Sequence, residues 1–144
     1  MSTTHKKEIR ENDEIYISAG KGKTSFIDVR DIAEVAALVL TEENHINRAY
    51  KLTGEKALSY NQVADILSKE LGRKITYKAP SKIKFFIKKK KEGLSTAKIL
   101  VMLGIYIAVS LGKASKTTGE VKNLLSREPI AFSKFVKDYK KVWM

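Results

Sequence analysis

The sequence predicts an α/β fold that gives way to helices in its second half. Over residues 14–77, short strand-like runs alternate with stretches whose apolar residues recur at helical spacing, and beyond Pro80 only the helical spacing persists. A length of 144 residues with 43% apolar content suits one folded unit.

Residues 14–19 (EIYISA) read as a strand, and Gly20 and Gly22 turn it into a second apolar run over 24–29, a hairpin-like entry. Asp28 precedes Ile32, Val35, Ala36, Val39 and Leu40, which mark a helix over 29–41 with Asp28 as its cap. Residues 48–53 (RAYKLT) alternate like a strand that Gly54 ends. Ser59 and Gln62 have capping-box spacing before Val63, Ile66, Leu67 and Leu71, a helical face stopped by Gly72. Ile75, Thr76 and Tyr77 give a third strand.

Past Pro80 the chain changes to a lysine-rich stretch and then ILVMLGIYIAV, residues 99–109, which is uncharged. That segment suits a helix buried on most sides or lying in a membrane surface, because a span needs roughly 20 apolar residues. Thr117 and Glu120 offer another capping box, and Pro129 separates that helix from a last one bearing Phe132, Phe135, Val136 and Tyr139. The expected organisation is a flexible segment over 1–13, an α/β part over 14–80 and a basic helical lobe over 81–144.

Lys and Arg number 28 against 16 Asp and Glu, a net charge of +12 that attracts phosphates, nucleic acid or anionic headgroups. The absence of cysteine excludes disulfides, thiolate zinc sites and a thiol nucleophile. The polar N-terminal residues lack the apolar core of a secretory signal, so a cytoplasmic location is expected, with peripheral membrane attachment through the basic segment as an option.

The chemistry-bearing candidates are few. Gly20-Lys21-Gly22-Lys23 lacks a third glycine and opens no helix, so it reads as a turn rather than a phosphate loop. His5, in a terminus expected to be mobile, and His45, in a polar turn, lack neighbours at metal-ligand spacing and read as solvated. Asp28 and Asp31 suit capping and the helix dipole better than acid–base work. Arg30 beside them fits a salt bridge or, less favoured, a substrate phosphate. None of the six tyrosines has a lysine four residues later, the spacing of a short-chain dehydrogenase dyad. Phe85, Phe86 and Ile87 lie among Lys82, Lys84, Lys88, Lys89, Lys90 and Lys91, which reads as a solvated face or, less favoured, as a basic amphipathic surface for anionic lipid or nucleic acid. No nucleic-acid-binding motif accompanies it, so nucleic acid is disfavoured.

Residues 24–77 join F-I-D-V-R-D-I-A to Y-x-L-T-G and then to S-Y-x-x-V-A-x-I-L. In that order they closely resemble the middle-to-late region of NmrA-like proteins, atypical extended short-chain dehydrogenases. Residues 121–139 resemble the family's closing pattern, with Ala131 where Thr or Ser is more typical, and the resemblance covers about residues 14–140. It implies the C-terminal portion of an extended Rossmann-type fold, whose N-terminal half carries a G-x-x-G-x-x-G loop for NAD(P). This chain has no such loop, so it is expected to bind no cofactor alone, to hold no catalytic residue and to be inactive by itself.

The family spans NAD(P)H-dependent quinone reductases, relatives described as nucleoside-diphosphate-sugar epimerases, and redox sensors, so membership leaves the chemistry open. Phe26, Asp28 and Arg30 would border the substrate cleft. The expected partner is a second copy or a chain supplying the nucleotide half. The alternative is a non-catalytic basic module that binds a membrane surface or another anionic partner.

Overall fold

The computed structural model describes residues 5–144. Its helices are α1 (Lys6–Asn12), α2 (Val29–Thr41), α3 (Tyr60–Leu71), α4 (Lys82–Lys91), α5 (Thr96–Ser110), α6 (Glu120–Leu125) and α7 (Phe132–Asp138). The strands are β1 (Glu14–Tyr16), β2 (Lys23–Ser25), β3 (Ala57–Ser59) and β4 (Thr76–Lys78). This mixed α/β architecture is the predicted class. Residues 6–12, expected to be flexible, instead form α1, because Ile9 is fully buried in the core; residues 1–4 lie outside the described part.

The strands do not pair as a hairpin. β1 runs parallel to β4, with Glu14 opposite Thr76 and Tyr16 opposite Lys78, whereas β2 runs antiparallel to β3, with Lys23 opposite Ser59. Local turn chemistry suggested the hairpin, but β1 and β2 each find a partner far along the chain. The strand expected over 48–53 is absent, and β3 follows it instead. Thr118 takes the place of a ladder there: its hydroxyl donates to the Lys51 carbonyl, and its N–H donates to the Thr53 hydroxyl at 2.8 Å.

That use of Thr118 bears on the next helix. α6 begins at Glu120 with Gly119 as its cap and no side-chain capping bond, so the box expected from Thr117 and Glu120 does not form. The box at α3 does: the Ser59 hydroxyl accepts from the Gln62 N–H, the Gln62 side chain accepts from the Ser59 N–H at 2.9 Å, and Gly72 closes the helix at φ 69°. Asp28 caps α2 by accepting from the Arg30 N–H at 2.9 Å.

One core joins the two parts of the chain. Ile15 and Ile17, Val63 and Leu67 of α3, Phe85 of α4, Ile99 of α5 and Trp143 belong to the same buried cluster. Residues before and after Pro80 therefore share one apolar interior. α5 is not buried on most sides as expected: Ile99, Met102, Tyr106 and Val109 face the core, while Leu100, Val101 and Ile105 are more than half exposed. Among the described residues no helix is long and apolar enough to cross a membrane.

Gly54 marks a close approach, since a Cβ there would lie 1.8 Å from the Phe26 carbonyl oxygen. Ser59→Ala is expected to lower the unfolding free energy by about 1 kcal/mol, the usual worth of such a cap. Gly54→Ala is expected to cost more than that, because backbone rather than a flexible side chain blocks the new methyl. Urea denaturation of both variants checks the order.

Candidate functional site

The cleft that best combines an apolar wall with placed polar groups lies where β2 meets α2 and α7. A cavity of about 240 Å³ is lined by Phe26, Ile27, Asp28, Val29, Ile130, Phe132 and Phe135. A neighbouring cavity of about 260 Å³ shares Phe26, Ile130 and Phe132 and adds Lys56 and Ile66. The Phe26 ring lies 5.1 Å from Phe132 and meets Tyr60 edge-on at 6.2 Å, and Phe135 follows Phe132 at 6.2 Å. The result is a half-buried aromatic shelf between the two cavities.

The structure thus brings two of the three cleft residues singled out by sequence together and gives the third another task. Phe26 and Asp28 line the cavity; Arg30 does not. The Arg30 guanidinium grips Asp28 with two hydrogen bonds of 3.0 and 2.8 Å, donates to Asp138 at 2.8 Å, and lies 5.3 Å from the Tyr139 ring centre. Its pKa rises through those two carboxylates. Three of its five N–H donors are spent on Asp28 and Asp138, which ties the start of α2 to the end of α7.

Asp28 is likewise committed. Hydrogen bonding from the Arg30 guanidinium holds its carboxyl below the usual carboxylate range, outweighing the opposing effect of burial. A carboxylate that is an N-cap and half of a bidentate pair stays ionised and is no acid for proton transfer. Asp31 is fully buried: it accepts from the Ile130 N–H at 2.8 Å and pairs with Arg127 at 2.8 Å.

The Tyr16, Tyr60, Tyr77 and Tyr106 hydroxyls are all pushed up, by burial first, Tyr77 to about 12, whereas a catalytic tyrosine needs the opposite shift.

Phe132 and Phe135 were legible only as one apolar helix face, and Ile130 not at all. Their part in the cleft depends on α7 folding back against β2 and α2, which no local spacing encodes.

The Gly20–Lys23 turn does not have the form of a phosphate loop. A Cβ at Gly22 would lie 2.5 Å from the Val109 carbonyl oxygen, so Gly22 is spent on packing against α5. The segment then enters β2 rather than a helix N-terminus. The Gly22 N–H is taken by the Ala19 carbonyl at 3.0 Å.

The histidines also differ from expectation. His5 is buried, with Nε2 2.8 Å from the Tyr106 hydroxyl and Nδ1 2.9 Å from Glu8. His45 contacts the Tyr50 hydroxyl at 2.6 Å. In the basic segment, Lys89 is not a surface lysine, being 4% exposed and paired with Glu8 and Glu92. Burial favours its neutral form, yet the two carboxylates outweigh that and raise its pKa. Lys88 lies 3.9 Å over the Tyr16 ring, while Lys82, Lys84, Lys90 and Lys91 are exposed.

Two outcomes are expected at the clamp. Asp31→Ala strands the Ile130 N–H, while Arg127 keeps Glu34, and is expected to cost about 1–3 kcal/mol in urea unfolding. The Asp28 pair, with its depressed carboxyl, contributes stability that is complete above the ordinary carboxylate pKa and is lost as pH falls through the lower folded value. Asp28→Asn is therefore expected to flatten the decline in stability from about pH 5 downward, measured by urea midpoints across that range.

No family model matches the chain. It is 36% identical to agroclavine dehydrogenase of Claviceps fusiformis over 136 residues, 94% of this chain and 47% of that protein. It is 51% identical to NAD(P)H azoreductase of Xenophilus azovorans over 71 residues, 49% of this chain and 25% of that protein. The fold superposes on triphenylmethane reductase of Citrobacter sp. with a TM-score of 0.82 at 29% identity, covering 92% of this chain and 46% of that one. It also matches the fold of an Escherichia coli NADPH-dependent quinone oxidoreductase, with a TM-score of 0.84 at 24% identity over 93% of this chain and 49% of that one. Apart from the shorter azoreductase match, the chain spans about half the length of these relatives. These relatives are oxidoreductases of the NmrA-like, NAD(P)-binding, epimerase-like fold, and this chain corresponds to roughly the C-terminal half of them.

Proposed function

We propose that this chain is the substrate-side half of an NAD(P)-dependent oxidoreductase, that its aromatic shelf receives a bulky aromatic substrate, and that it does not oxidise NADPH by itself. The observation that carries this reading is the Phe26–Phe132–Phe135 shelf, whose neighbouring carboxylate and guanidinium are bound to one another. Such a wall offers stacking and apolar contact without a proton donor or a hydride source.

Two relatives support the substrate class by name, an azoreductase and a reductase of triphenylmethane dyes. One of them has been solved in complex with NADP(H). Hydride transfer needs the nicotinamide held in place, and Gly22 of the one glycine-paired turn is taken up by its close approach to Val109. The nucleotide-binding half therefore comes from outside these 144 residues, in the same polypeptide or in a partner chain.

The single tryptophan gives a direct probe. Trp143 meets the Phe135 ring edge-on at 5.9 Å, so its emission senses a dye seated on the shelf. Malachite green, a cationic triphenylmethane dye, is repelled by the +12 chain and does not bind merely by charge. Saturable quenching of Trp143 by this dye is expected, weakened about tenfold by Phe26→Ala and by the milder Phe132→Leu, with circular dichroism unchanged. NADPH absorbance is expected to stay constant with the dye present. Quenching indifferent to both substitutions, or NADPH consumption by the chain alone, contradicts the proposal.

A further inference from the structure

Helix α5 has an apolar face that no described residue covers. At 100° per residue, Leu100, Val101, Gly104, Ala108 and Leu111 fall on the side opposite the buried Ile99, Met102, Tyr106 and Val109, and Ile105 lies on the flank between the two faces. Leu100, Val101, Ile105 and Leu111 are 57%, 64%, 56% and 68% exposed, and a Cβ at Gly104 would meet open space. A helix packed on a core by one face ordinarily turns polar side chains to water on the other. Here the outer face is aliphatic over its whole length, which marks a contact surface.

The surroundings of that face indicate the occupant. α4 lies against α5 in the opposite sense: Lys82 and Ile83 share a cavity with Ser110 at one end, and Lys89 shares another with Lys98 and Met102 at the other. Its outward Ile83 and Ile87 are 73% and 49% exposed. Exposed Lys82, Lys84, Lys90, Lys91, Lys98 and Lys113 ring the two helices. The face has no Trp, Tyr or Arg, the residues that anchor protein interfaces, and it is rich in Lys, which such interfaces avoid. A second copy would bring another +12 charge against the first.

We infer that the α4–α5 face docks on an anionic lipid surface, the aliphatic side of α5 entering the headgroup boundary and the lysines meeting lipid phosphates and carboxylates. α5 has 15 residues, so it lies in the plane of the surface rather than across it. Apolar insertion and the basic rim supply together what neither supplies alone. This docking goes beyond the reductase reading and requires that the nucleotide-binding half leave the α4–α5 face open.

The test is co-sedimentation of the full chain with phosphatidylcholine vesicles, with and without about one-third phosphatidylserine. Binding is expected only to the anionic vesicles and is expected to fall as salt rises. Lys90→Gln and Lys91→Gln are each expected to weaken it by about fivefold. Val101→Asp with Ile105→Asp is expected to abolish it, with circular dichroism unchanged because both side chains are exposed. Failure to bind anionic vesicles overturns the proposal, as does binding that survives the two aspartates. A dimer in sedimentation velocity that those aspartates dissolve, without vesicle binding, assigns the face to a second copy and also overturns it.

Discussion

The cleft depends on one buried carboxylate. Asp31, in the first turn of α2, has no solvent exposure, accepts the Ile130 N–H and pairs with Arg127. Its negative charge also lies at the positive end of the α2 dipole. Through Asp31 the segment before α7 is fixed to α2 across 99 positions of sequence, which sets Phe132 and Phe135 opposite Phe26. The Arg30–Asp138 bond fastens the far end of α7 to the same helix. Without these two ties the aromatic shelf would have only dispersion and area to hold its shape.

That economy constrains the chemistry. The charged groups nearest the shelf are consumed in building it, and four of the tyrosines are moved by burial away from proton transfer. What is left at the cleft is an apolar and aromatic wall, with Glu55 and Lys56 at the edge of the adjoining cavity. On the proposed reading a wall of that kind orients a substrate, and the hydride comes from a cofactor held elsewhere. Gly22 illustrates the division: it sits in a segment that looks like a phosphate loop in composition, yet its missing side chain serves the close approach to α5.

How much was legible in the sequence follows the range of the interactions. The Ser59–Gln62 box, the Asp28 cap and the Gly72 stop are contacts within a helical turn, and they stand where spacing placed them. The pairing of β1 with β4 joins residues about sixty positions apart, and the hairpin expected from the Gly20–Gly22 turn gave way to it. Residues 48–53 alternate like a strand but find Thr118 rather than a ladder, which also removes that threonine from the start of α6. Phe26 and Asp28 were legible because the family motif runs through them. The burial of His5 against Tyr106 and of Lys89 against Glu8 was not, since a lysine run and a polar terminus look solvated until the fold brings them together.

The central claim is that these residues form a substrate side without a nucleotide site of their own. Calorimetric titration of NADPH into the purified chain, at low and moderate salt, tests it most directly. The account predicts no saturable heat beyond a weak, salt-sensitive attraction to the basic surface. Tight binding that persists at moderate salt would reveal a nucleotide site in this chain and contradict the account.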